Sequence, residues 1–197
     1  MGPLASHMVL HIVLMNLLAP LAAFGISRVS DAWRSPAAGS LTLATVAQLA
    51  ALWVWHAPPL LNQALQSHAI HLLMQGTLFL GAFCFWSAIF AVDGNRRWKP
   101  IIALLLTSKL FCLLAVLFVF SPRALYPAAA GIHGHSDAVL QSTLADQQLA
   151  GVVMLVACPA TYVLAGIVIA GRWIFAIERQ GIDAGAEALK AGARKWT

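Results

Sequence analysis

A chain of 197 residues that is 60% hydrophobic and only 10% charged, with a mean hydropathy of +0.80, lies far from the composition of a soluble domain. Its apolar residues gather in runs of roughly 20, enough to cross about 30 Å of hydrocarbon as helix, and no ten-residue alternation of barrel strands is present. The net charge of +5 is spread over short loops, which fits attraction to an anionic inner leaflet and excludes a nucleic-acid partner.

Five runs follow one another: His7 to Ile26, Leu41 to Trp55, Ala69 to Val92, Ile101 to Phe120, and Leu149 to Gly171. They predict an all-α, polytopic membrane bundle of about five transmembrane helices in one domain, residues 1–175, followed by a polar tail, 176–197. The second run is short and stops at Pro58-Pro59, which cannot continue a helix. The connections carry turn chemistry: Ser35-Pro36 with Gly39, Asp93-Gly94-Asn95, Pro122, and Gly131 to Gly134. The first run is interrupted by His7, His11 and Asn16 and lacks a basic leader, so it reads as a retained spanning helix and not as a signal peptide. Pro159 predicts a kink in the last run, and Gly151, Gly166 and Gly171 predict close helix packing. The tail after Phe175 suits a membrane surface.

Basic residues mark the cytoplasmic side of a membrane protein. With the first loop inside, ten of the twelve lie inside: Arg28, Arg34, Arg96, Arg97, Lys99, Arg172, Arg179, Lys190, Arg194 and Lys195. The N-terminus is then outside and the C-terminus cytoplasmic, in a multi-pass protein of the bacterial inner membrane. Lys109 falls within a span, where an ammonium costs at least about 2.5 kcal/mol, and is expected to face the bundle interior.

In that orientation all seven histidines fall on the outer side: His7 and His11 on the first run, His56 ending the second, His68 and His71 opening the third, and His133 and His135 in the last outer loop. Positions i, i+4 and i+8 share a helix face, so His7, His11 and Met15 form one stripe. Met74 follows His71 by three, and Met154 projects from the outer half of the fifth run. Imidazole with thioether suits Cu(I), whereas calcium or magnesium would want carboxylates that the outer side lacks. The first, second, third and fifth runs are expected to converge on one polar pocket. A metal or cofactor role and a plain interfacial hydrogen-bonding role both stay open for these histidines at this point. Cys84, Cys112 and Cys158 lie in three different spans without Cys-x-x-Cys pairing and read as small buried hydrophobes.

Three stretches resemble the caa3-type cytochrome c oxidase assembly factor family (CtaG): Ser6 to Leu21 (SHMVLHIVLMNLLAPL), Trp53-Val54-Trp55-His56-Ala57-Pro58 through Ile70-His71 to Phe85-Trp86, and Ala145-Asp146-Gln147-Gln148-Leu149-Ala150-Gly151. Family members usually carry about seven spans, so this chain resembles a shortened one. Gln75 stands where the family has a second histidine on the third helix, and Ala150 stands where a glycine is common. The resemblance implies a non-enzymatic role in building a haem-copper oxidase, with copper delivered at the outer face. By position it implies His7, His11, His56 and His71 as ligands, beside Met15 and Met74 from the stripe reading. Asp146 and Gln75 would be supporting residues, Asp146 either capping the N-terminus of the fifth helix or orienting a ligating imidazole. The implied partners are the oxidase subunit that carries the copper site, a periplasmic copper donor and membrane lipid. Two other readings stand beside it: a haem-carrying cytochrome with His11 and either His56 or His71 as axial ligands, and an accessory subunit of the oxidase.

Overall fold

The structure is a computed structural model that describes residues 1–29, 40–126, 129 and 137–193. Ser35-Pro36, Arg34, Gly39, Gly131 to Gly134, His133, His135, Arg194 and Lys195 lie outside the described residues. Among those described, the protein is all-helical. In order come α1 (Pro3–Ile12), a π-helical turn (Val13–Leu18), α2 (Ala19–Val29), α3 (Ser40–Trp55), α4 (Pro58–Gln66), α5 (His68–Ala91), a 3-10 turn (Gly94–Arg96), α6 (Trp98–Phe120) and α7 (Asp137–Ala193). Four stretches are long and apolar enough to cross a bilayer, Pro3–Val29, His68–Ala91, Trp98–Phe120 and Val139–Ile182, and the apolar Leu41–Trp55 is shorter. The membrane bundle expected from the sequence is therefore present, with α1 and α2 forming one continuous first span.

Several boundaries differ from the sequence expectation, each for a local reason. Pro58-Pro59 does end α3, but it also starts α4, because proline at the first helical positions loses no needed N–H. The turn after α5 contains Gly94 at φ 67, a left-handed conformation that favours glycine, and Arg97 pairs with Asp93 at 2.9 Å across it. The polar tail is no separate segment: α7 runs unbroken through Pro159 to Ala193, and its 57 residues span about 85 Å at 1.5 Å per residue, well beyond the bilayer. Lys109 is exposed, contrary to the expectation that it faces inward. The buried side of α6 is occupied by Leu104, Thr107, Ser108 and Phe111, and the helical period assigns position 109 to the outward face with Leu105, Leu106 and Leu113.

The π-helical turn has a cause in the sequence. In the π register the N–H of Ala19 reaches the carbonyl of Leu14. The next donor in that register would serve the carbonyl of Met15, but residue 20 is proline and has none. The indole Nε1 of Trp86 on α5 donates to that carbonyl instead, at 3.1 Å. The wider turn also brings two consecutive side chains, Met15 and Asn16, into the interior.

The helix ends on the histidine side are tied by side chains from elsewhere in the chain. Asp146 lies more than two turns inside α7 and caps no amide of its own helix. Its carboxylate instead accepts from the amides of Gly2 (2.7 Å), Leu4 (2.8 Å) and Ala5 (3.3 Å), closing the start of α1. This corrects the expectation that it caps the fifth span. A Cβ on Gly2 would overlap that carboxylate, so the approach needs glycine. Gln147 accepts from the Leu125 amide at 2.7 Å and donates to the Phe118 carbonyl at 3.3 Å, holding the chain after α6. Of the three glycines expected at close packing, only Gly151 is one: a Cβ there would sit 2.9 Å from the Ala115 carbonyl and 2.8 Å from Val119, while Gly166 and Gly171 face open space.

Asp146→Ala should lower stability in detergent by about 2–4 kcal/mol through loss of a charged cap on three amides, read as a fall in the apparent Tm, with Asp146→Asn in between. Gly151→Leu should lower the Tm, by about 1–3 kcal/mol of overpacking, whereas Gly166→Leu should leave it unchanged.

Candidate functional site

Because α1 and α5 begin where α3 ends, their termini share one end of the bundle. Arg28 stands in the last turn of α2, Arg96 and Arg97 follow α5, and Lys99 stands in the first turn of α6, all toward the other end. At the histidine end three rings come together first. His7 and His11, one turn apart on α1, meet edge to face with centroids 4.2 Å apart; His7 touches His71 of α5 at 4.8 Å, and His11 approaches His56 at 5.6 Å. His7, His11 and His56 are buried, at 6%, 4% and 3% exposure, and His71 is half-buried. His68 is exposed and takes no part. The i, i+4, i+8 stripe is thus one buried face, with Met15 at its inner end.

His56 has its proton fixed. Its Nδ1 lies 2.7 Å from the carbonyl of Leu52, which can only accept, so Nδ1 carries the hydrogen and Nε2 presents a lone pair. That Nε2 is buried and meets no hydrogen-bond partner among the described residues. The break before Pro58 leaves the Leu52 and His56 carbonyls near the helix end. Tyr126 donates its hydroxyl to the His56 carbonyl at 2.7 Å, and burial pushes the Tyr126 phenol up, which keeps it a donor. Both nitrogens of His7 and both of His11 are likewise buried and partnerless. Gln75, at the position where the resemblance implies a histidine, holds its amide 3.2 Å from Nε2 of His71. His71 can therefore lend that nitrogen to a ligand only by giving up this bond.

Inward of the rings lies a cavity of about 10 Å³, room for one water-sized body. His11 and His56 form its upper wall; Met8, Met15, Met154 and Cys158 contribute four sulfur-bearing side chains, and Ile12, Leu52 and Phe111 complete the apolar lining. Met74 is fully buried but does not line it. The expected convergence is partial: the first, second and fifth runs line the cavity together with Phe111 of α6, while α5 contributes no lining residue and its His71 meets the cluster through the His7 ring. Of the cysteines, Cys158 is buried at this cavity, Cys112 is half-buried and Cys84 is exposed, so the expectation of three buried hydrophobes fails at Cys84.

The lining offers a soft cation imidazole nitrogens and thioethers with no carboxylate, and it also holds the buried Asn16 amide, whose own polar atoms meet no hydrogen-bond partner among the described residues. As they stand the rings lean on one another, and no group of three or more His, Cys, Asp or Glu among the described residues is arranged to hold a metal ion. Uptake would need the rings to turn toward a common point.

Sequence reasoning passed over Tyr126 and Met8, and it did not single out Gln147 within the Asp-Gln-Gln stretch. Only that stretch carried a visible signal. Tyr126 acts through a backbone carbonyl, which no spacing rule reveals.

The family model described as cytochrome c oxidase caa3 assembly factor matches residues 3–175. No curated protein and no solved structure matches the chain. The matched range spans the whole bundle and takes in every residue of the ring cluster and its cavity, and the chain belongs to the cytochrome c oxidase caa3 assembly factor family.

Proposed function

We propose that this protein handles Cu(I) for the assembly of a haem-copper oxidase, holding the ion at the outer face of the bacterial inner membrane and passing it to the oxidase subunit that receives copper. The observation that carries the reading is the buried, partnerless Nε2 of His56, with its tautomer fixed by the Leu52 carbonyl, beside four partnerless nitrogens on His7 and His11. An unsatisfied buried polar group costs about 1–3 kcal/mol, so several in one place burden the apo protein and are relieved by a bound cation. Copper is cargo in this reading: His7, His11 and His56 supply nitrogens, Met15 a thioether, and His71 a nitrogen exchangeable against Gln75. A site of neutral ligands with one displaceable member holds a soft ion and still releases it. With the basic loops inside, the cluster opens outward, where a periplasmic donor reaches it. The role in this reading is binding and transfer.

A cavity of about 10 Å³ favours a single ion over a macrocycle between His11 and His56. A Soret band without copper in the purified protein would replace this reading with the haem one. Stoichiometric co-purification with mature oxidase, with copper loading indifferent to the histidines, would replace it with an accessory-subunit role.

Anaerobic Cu(I) titration of the detergent-purified chain against a chromophoric chelator should give tight binding that the His7→Ala/His11→Ala double variant and His56→Ala each weaken at least tenfold; binding unchanged in both would overturn the proposal. Cu(I) should also raise the Tm of the wild type and not of the double variant, since only a ligand of the native state stabilises it. Apo His11→Leu, by contrast, should unfold at the same or a higher temperature than apo wild type, because it removes two unsatisfied buried nitrogens.

A further inference from the structure

The histidines do not end the path inward. Below them the cavity carries sulfur from two spans: Met8 and Met15 from the first, and Met154 and Cys158 one turn apart on α7. Aromatic packing lies beyond Cys158 on the same helix. Tyr162, one turn beyond Cys158, stacks on Trp86 with ring centroids 5.5 Å apart and planes at 10°, meets Phe111 edge to face at 5.3 Å, and accepts a hydrogen bond from Gln48 at 2.8 Å. Besides its sulfurs the chamber is lined by the buried Asn16 amide and by His11 and His56, two side chains at least nine-tenths buried with partnerless nitrogens.

We propose that this chamber is a second, inner soft-metal site, in which the Cys158 thiolate and the Met15 and Met154 thioethers hold one Cu(I) that enters and leaves through the histidines. The proposal rests on the copper reading above and extends it from an imidazole cluster to a two-position site. Its chemistry balances: the S–H bond of Cys158 breaks as the Cu–S bond forms, Cu(I) keeps its oxidation state, and the proton leaves past the imidazoles to the outer face. The chamber then gains no net charge. Cys158 lies about 18 Å along α7 from Asp146 at 1.5 Å per residue, a depth at which an uncompensated cation is costly. A site of thioethers and imidazoles alone would carry that charge; one thiol removes it. This gives the single buried cysteine a role that small size does not explain, whereas the exposed Cys84 faces away from any such donor set.

The test is X-ray absorption at the copper edge on the full-length, detergent-purified chain loaded anaerobically with Cu(I), in wild type, Cys158→Ser and Met154→Leu. The wild type should show sulfur scattering, with Cys158→Ser losing the shortest copper–sulfur component and each variant binding Cu(I) at least tenfold more weakly at the inner position. Nitrogen-only scattering in the wild type overturns the inner site, and with it Met15 as a ligand, while leaving copper binding by the histidines intact, and this result needs no variant to fold. Sulfur scattering unchanged in Cys158→Ser also overturns it. Absence of any bound copper in the wild type overturns the copper reading and the inner site together.

Discussion

A bilayer offers no water to a backbone group that has lost its helical partner, so every irregularity in a spanning chain must be repaired by the protein itself. In this protein the repairs cluster at and below one end. Asp146 serves the free amides of α1, Trp86 the Met15 carbonyl released by Pro20, Tyr126 the carbonyl of His56, and Gln147 both the Leu125 amide and the Phe118 carbonyl. Each repair also fixes a wall of the histidine cavity. The polar residues that make the backbone tolerable are the ones that give the site its shape.

His56 links the two roles. Its own carbonyl is served by Tyr126, while its Nδ1 adds a second bond to the Leu52 carbonyl and so commits the remaining nitrogen to be an acceptor, with no hydrogen-bond partner among the described residues. His7 and His11 stand beside it with no partner for either nitrogen. Such an arrangement is expensive for a structural core, which is better served by leucine, and it is the arrangement that a soft cation relieves. The rings stop short of a common focus, which suits a carrier: a fully formed ligand cage would hold its cargo too long. Beneath them, Trp86 and Tyr162 stack within the bundle, with ring centroids 5.5 Å apart.

Much of this was legible in the sequence. Composition and run length alone gave the membrane bundle, and the spacing of His7, His11 and Met15 gave the buried stripe, because helical period is a property of the backbone itself. The basic loops placed the histidines at one end. Lys109 went astray because the cost of a buried charge says that a residue needs a partner, while the face it occupies is decided by its register with Thr107, Ser108 and Phe111. Asp146 was singled out but given to its own helix: a carboxylate that caps a helix 142 residues away is a tertiary fact with no local trace. The π-helical turn was written in Pro20, yet which indole would answer the freed carbonyl depended on how α5 packs.

The most direct test of the account is the nitrogen chemistry of His56, read by ¹⁵N NMR on histidine-labelled protein with the His56→Ala variant for assignment. The account predicts a protonated Nδ1 and a bare Nε2 in the apo protein, with the Nε2 resonance alone moving strongly when Cu(I) is added. A protonated Nε2, or a His56 spectrum indifferent to Cu(I), would contradict it.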